Sequence, residues 1–319
     1  MRYRSSDEDS GRWYGFPFRA GDIVISTRSK SGTTWMQMIC ALLIFQTADL
    51  PAPLATLSPW LDWLIVPRDE VLARLAAQRH RRFIKTHTPL DGVPIDPRVT
   101  YIVVARDPLD LAVSLFHQGD NLNRARIAEL TGAPPPVDEP APPPDDEPMP
   151  PPVHEPMPSP DDEQAPPPVD EPAPPPDMRA ALLRWIEQDV APADDLDSLP
   201  GVMWHLTDAW RRPGVLLVHY ADLLADLDAE MRRIAERLGI PVPDEVWSDL
   251  VEAAKFERMR GRAAELAPDP AGIMKDRTAF FRRGGSGSGR ELLSDDEFAR
   301  YQARAAELAP PDLLAWLHR

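Results

Sequence analysis

Gly21-Asp-Ile-Val-Ile-Ser-Thr-Arg-Ser-Lys-Ser-Gly-Thr-Thr-Trp-Met-Gln-Met-Ile-Cys-Ala-Leu-Leu-Ile-Phe-Gln46 is the stretch that decides how this chain folds. Asp22–Ser26 is a short apolar run, as expected of a strand buried on both faces. Thr34–Gln46 is long and mostly apolar, as expected of a buried helix. Between them lies a polar turn. A helix start carries unpaired N–H groups and the positive end of the macrodipole, so anions collect there. Gly32 lets the backbone turn sharply. Ser31, Thr33 and Thr34 add hydroxyl donors, and Lys30 adds a point charge. Taken alone, such a turn is either an anion site or a plain helix cap. It is not a Walker A motif, because the lysine precedes the glycine and no upstream glycine has the required spacing. That spacing weighs against a nucleotide-dependent kinase.

Working outward, three more runs read as strands: 82–86, 100–105 and 215–219. Asp107-Pro108 supplies an N-cap and an N1 proline for a helix to about Asn121. Further helices are expected over 178–189, 204–211 and 226–238, the last closed by Gly239. Strands alternating with helices predict an α/β fold with a central, mostly parallel sheet.

Residues 134–177 interrupt this pattern. They repeat with a period of 16, starting at Pro134, Pro150 and Pro166, and hold 21 of the 39 prolines. Proline removes backbone donors and fixes φ, so neither helix nor sheet is expected to run through them. The segment predicts a polyproline-II-rich, disordered insert, either a tolerated expansion or a ligand for a proline-recognition partner. One domain, 1–133 and 178–319, is expected around it.

The net charge of −16 is mostly local. Residues 134–177 carry twelve Asp or Glu and no Lys or Arg, which leaves −4 for the rest. No basic stripe suggests nucleic acid. One cysteine, Cys40, excludes an internal disulfide. The N-terminal residues lack an apolar signal-peptide region. The longest apolar run, Ile39–Phe45, is far short of the roughly 20 residues of a membrane span. A soluble, cytoplasmic protein is the expectation. The seven histidines lack zinc spacing, so no metal is expected.

The sequence Lys30-Ser-Gly-Thr-Thr-Trp35 after a strand resembles the 5′-phosphosulfate loop of sulfotransferases that use 3′-phosphoadenosine 5′-phosphosulfate (PAPS). The resemblance covers both blocks outside the repeat. Lys85-Thr-His-Thr-Pro89 is similar to the segment whose histidine takes the acceptor's proton, which gives that role to His87. Lys85 then stabilises the transferring sulfuryl group and Lys30 the departing phosphate. Arg106 and Ser114 match the 3′-phosphate region. Phe281, Arg282, Arg283 and Gly284 match the segment that closes over that phosphate. Trp35, Tyr220 and Phe256 match adenine-pocket positions. The stretches RRFIKTHTPLDG and FFRRGGSG bring the chain nearest the bacterial glycolipid branch.

The resemblance implies a P-loop-NTPase-like three-layer fold, PAPS as donor and adenosine 3′,5′-bisphosphate (PAP) as product. It also implies a small-molecule, lipid or glycolipid hydroxyl as acceptor. Trp60, Trp63 and Leu64 are candidates for an apolar acceptor cleft. Where the family continues Gly-Asp-Trp, this chain has Gly287-Ser288-Gly289, which predicts a flexible turn. The family's dimer motif is not evident at Arg290–Glu297. The rival readings are a small-molecule kinase and a Pro-rich adaptor with a vestigial nucleotide module.

Overall fold

Four apolar runs form four parallel strands: β1 (Ile23–Ser26), β2 (Phe83–Thr86), β3 (Thr100–Ala105) and β4 (Leu216–His219). Their order in the sheet is β2-β1-β3-β4. Ile23 pairs with Phe83 on one side and Thr100 on the other, and Ala105 pairs with His219. The buried ion pair of Asp22 with Arg82 sits where β1 and β2 begin.

The computed structural model describes residues 1–132, 178–269 and 271–319. The proline-rich repeat, with its expected disorder and its proline-recognition role, lies outside them. Among the described residues, no helix is long and apolar enough to cross a membrane.

Alternation along the strands builds two cores. Val24, Ile84, Tyr101 and Val103 face helices Pro108–Asn121, Met178–Glu187, Leu199–Trp210 and Asp295–Leu308. Ile23, Ile25, Ile102, Val104 and Val218 face helices Thr33–Phe45, Leu227–Leu238 and Asp244–Ala254. Each strand is therefore covered on both sides, which is why each reads as an apolar run rather than an alternating one. The result is the three-layer α/β arrangement expected.

The helix boundaries follow their caps. Asp107 accepts from the N–H groups of Leu109 and Asp110, and the helix ends at Asn121 as read. Asp226 caps Leu227–Leu238, and Gly239 closes it in the left-handed region. The expected 204–211 helix begins earlier, at Leu199, because Ser198 caps Gly201 and proline is tolerated in a first turn.

This topology places the site. After β1 the chain goes to β2 on one side, then crosses to β3 on the other. The crevice at the carboxyl ends of β1 and β3 is the switch point where α/β sheets hold ligands. Ser26, Thr86, Ala105 and His219 all end strands at that rim.

Candidate active site

A cleft of about 920 Å³ opens at this rim. Each strand supplies a residue just past its last one: the 27–32 loop carries Lys30, and the other three give His87, Arg106 and Tyr220. All four line the cleft.

The 27–32 loop is held under strain. Lys30 has φ 63°, a left-handed conformation uncommon for a residue with a side chain. This turn directs its carbonyl to the Arg106 guanidinium at 3.2 Å. Helix Thr33–Phe45 starts with Met36 N–H donating to Gly32 O at 3.0 Å. The N–H groups of Thr33, Thr34 and Trp35 therefore have no acceptor within the helix. Thr33 and Thr34 line the cleft. Ser31 does not: it is buried beneath the loop, and its N–H donates to Arg28 O at 3.2 Å. The Thr33 hydroxyl pairs with that of Thr27. Of the three expected hydroxyl donors, Thr33 and Thr34 thus line the cleft and Ser31 is buried.

Cations converge here. The Lys30 ammonium lies 3.9 Å over the Phe280 ring and donates to Gln118 Oε1 at 3.3 Å. Burial, with Arg106, Lys85 and Arg282 as like charges nearby, pulls its pKa down to about 7. Burial also pulls Lys85 down to about 8, opposed by the Glu8 and Asp62 carboxylates. The Lys85 ammonium sits 3.9 Å over the Trp60 ring.

Arg106 joins two loops. One nitrogen donates to Lys30 O, the other to Gly285 O at 3.0 Å. Its plane lies 4.6 Å from the Tyr220 ring centroid. Its buried Nε–H has no partner. A guanidinium has five donors, so most remain for a ligand. Ser114 also lines the cleft, as do Phe281, Arg282, Arg283 and Gly284. At Gly284 (φ 63°) a Cβ would fall 2.4 Å from Phe256 Cδ1, so glycine alone lets this backbone press on that ring.

The aromatic candidates meet. Trp35 Nε1 donates to Ala254 O at 2.8 Å, and its ring meets Tyr220 edge-on with centroids 5.3 Å apart. Phe256 lies 6.1 Å from Phe281.

The expected flexibility of Gly285-Ser-Gly-Ser-Gly289 is corrected. Buried Asp110 accepts from Gly287 N–H at 2.8 Å, Ser288 Oγ at 3.1 Å and Gly289 N–H at 2.9 Å. Ser288–Glu291 is helical. A Cβ on Gly289 would lie 2.4 Å from the Leu109 carbonyl carbon, so the segment rests directly on backbone. Asp110→Ala leaves the buried Gly289 N–H unpaired, at a cost of about 1–3 kcal/mol, and takes the carboxylate partner from the exposed Gly287 N–H. The expected outcome is lower stability in denaturant titration and weaker PAP binding by calorimetry, with the arginines intact.

His87 stands on the other side of the loop. It is buried, and its Nδ1 is 2.6 Å from Thr27 O. That contact makes Nδ1 the protonated nitrogen and leaves the lone pair on Nε2. Burial first, then the charges of Lys85 and Arg28, hold its pKa well below the usual 6.5. Trp60 meets the imidazole edge-on at 4.7 Å and stacks on Trp63 at 5.2 Å. Both tryptophans line the cleft, with Ile65 in place of the expected Leu64.

Sequence reading passed over Arg28, Asp110, Gln118, Glu8, Asp197 and Phe280. Arg28 and Asp110 lie inside stretches that were read, but their partners are distant in the chain.

An α/β sheet with a cation-lined crevice beside a buried neutral histidine defines a group-transfer enzyme acting on an anionic donor. The Sulfotransferase domain profile matches residues 20–309. The glycolipid sulfotransferase of Mycobacterium bovis (strain BCG / Pasteur 1173P2) is 44% identical over 328 residues, 99% of this chain and 93% of that protein. That of Mycobacterium tuberculosis (strain ATCC 25177 / H37Ra) is equally similar: 44% over 328 residues, 99% and 93%. Among solved structures, retinol dehydratase in complex with androsterone and inactive cofactor PAP aligns with a TM-score of 0.61. It is 20% identical and is matched over 95% of this chain and 86% of its own. A mouse sulfotransferase complexed with PAP aligns with a TM-score of 0.57 at 19% identity, covering 94% and 88%. This chain belongs to the sulfotransferase family, and its reaction is sulfuryl transfer, not phosphorylation.

Proposed function

We propose that this sulfotransferase moves the sulfuryl group of PAPS to a hydroxyl of a lipid or glycolipid, with His87 as general base. The observation that carries this is the convergence of Lys30, Lys85, Arg106 and Arg282 on one cleft, where burial depresses both lysines and like charge depresses Lys30 further. Such a cluster is stabilised by a polyanion.

The chain's residues fit the donor. The buried Arg106 Nε–H awaits an acceptor, and Gly284, which lines the cleft, has no Cβ to collide with Phe256. Arg106, Ser114, Arg282, Arg283 and Gly284 would hold the 3′-phosphate. Trp35, Tyr220 and Phe256 would hold the adenine. Lys30 with the N–H groups at Thr33 and Thr34 would hold the 5′ end. The donor supplies an activated sulfuryl group.

His87 Nε2 accepts the acceptor hydroxyl's proton as its oxygen bonds to sulfur and the bond from sulfur to the bridging oxygen breaks. Lys30 stabilises the charge left on that oxygen. Lys85 stabilises the sulfuryl oxygens in between. Positioning and electrostatics carry such a transfer, and no covalent intermediate is needed.

Trp60, Trp63, Ile65 and Trp185 line the cleft together with Glu8, Asp195 and Asp197. Flat aromatic surface beside carboxylate acceptors suits a hydroxylated sugar carried on an apolar tail. The mycobacterial relatives' name supports that class. A cytoplasmic location fits the single, buried thiol of Cys40.

Incubation with PAPS and a panel of hydroxylated acceptors, read by mass spectrometry, tests this. Sulfated glycolipid with release of PAP is expected. Sulfation confined to small phenols or steroids would overturn the acceptor assignment.

A further inference from the structure

We propose that Arg28 is the positioning residue of the general base, fixing the His87 peptide from within the donor-binding loop and tying it to Asp197 on the acceptor side of the cleft. This rests on His87 being the base.

Arg28 is 3% exposed, although it lines the cleft. One guanidinium nitrogen donates to the His87 carbonyl. The other is 2.6 Å from Asp197 Oδ1. The adjacent Thr27 carbonyl holds the imidazole at 2.6 Å. Residues 27 and 28 thus grip His87 at two points. Turning the ring breaks the bond to Thr27, and shifting the peptide breaks the bond to Arg28. The same loop continues into Lys30, so donor and base are located by one short segment.

The far end of the tie is firm. Asp197 N–H donates to Asp195 Oδ1 at 2.9 Å, and Asp197 O accepts from Trp185 Nε1 at 2.8 Å. The next residue, Ser198, caps helix Leu199–Trp210. From that helix His205 Nε2 lies 3.1 Å from Ser26 Oγ, at the end of β1. Asp194, Asp195, Leu196 and Asp197 line the cleft, so the tie runs from base to acceptor wall. Only a planar fork reaches two acceptors on separate segments, and a lysine offers a single nitrogen.

Arg28 also sets the charge around the base. Lys85 approaches from β2, Arg28 from the loop, and His205 from the helix. The carboxylate of Asp62 accepts from the hydroxyls of Thr86 and Thr88, which flank His87. Glu8 and Asp197 face Arg28. Removing the Arg28 cation therefore makes His87 easier to protonate. Removing Asp197 makes it harder, because the guanidinium loses its counter-charge.

The test is the pH dependence of kcat/KM for the acceptor, with a carbon-13 NMR titration of the histidines in the PAP-bound protein. The His87 signal is assigned from His87→Gln. In Arg28→Met, the acid limb and the His87 titration are expected to move to higher pH, with kcat roughly 10–100-fold lower, the scale of a misplaced catalytic group. Arg28→Lys should restore the acid limb but not kcat, since it returns charge without the fork. Asp197→Asn should move the limb the opposite way, and it serves if Arg28→Met does not fold. An unmoved limb and titration in folded Arg28→Met, or in Asp197→Asn, would overturn the proposal. Full activity in His87→Gln would instead overturn the reading of His87 as base, so the two failures are distinct.

Discussion

His87→Ala is expected to lower turnover by about 10²–10⁴-fold, the range of a lost general base, with PAP binding unchanged in calorimetry. The separation follows from placement. The imidazole ring is held by the Thr27 carbonyl and stands beside Trp60 and Lys85, while Arg106 is bonded to the carbonyls of Lys30 and Gly285. His87→Gln keeps an N–H for Thr27 and fills more of the volume, so it guards against a loss caused by collapse of the site. The pH profile of the wild type carries a second mark of the same residue. Its folded-state pKa is depressed by burial, Lys85 and Arg28. The base is therefore neutral throughout the neutral range, and activity should fall only well below the ordinary histidine value. An acid limb near 6.5 would show that another group limits the reaction. Retained turnover in both variants, or parallel loss of PAP binding, would remove His87 from the chemistry.

The strands were legible because both faces of the sheet are covered, so each run is apolar from end to end. The candidate site's placement was legible for a related reason: Lys30, His87, Arg106 and Tyr220 follow strand ends, and strand ends in a parallel sheet face the crevice. Helix Pro108–Asn121 could be bounded from Asp107 and Pro108 alone. Helix Asp295–Leu308 was passed over even though Ser294 and Glu297 form a capping box, a signal the sequence does carry.

Other features had no local signal. Asp110 meets Gly287 across 177 positions, and Arg28 meets Asp197 across 169. Only the crossing of the chain at the switch point brings those pairs together. The run Gly285–Gly289 looks loose as a string of small residues. It is firm in place because smallness is what lets it lie on the Leu109 backbone under Asp110.

Arg106→Ala is expected to weaken PAP binding by roughly 10²-fold, the loss of about 3 kcal/mol in charged hydrogen bonds to a phosphate, and to change AMP binding far less. The comparison is needed because Arg106 has two tasks. It donates to the carbonyls of Lys30 and Gly285, which holds the donor loop against the 282–285 segment. It also offers a buried, unpaired Nε–H toward the cleft. If the first task alone mattered, loosening both loops would weaken AMP and PAP alike, since AMP shares the adenine and the 5′-phosphate. Only a direct contact to the 3′-phosphate makes the losses unequal. Arg106→Lys refines this further. A lysine keeps the charge but cannot reach two carbonyls and a phosphate together. It should recover part of the PAP preference while leaving the loops less well held. Equal losses for AMP and PAP in Arg106→Ala would assign Arg106 to loop packing and leave the 3′-phosphate to Ser114 and the 281–284 segment.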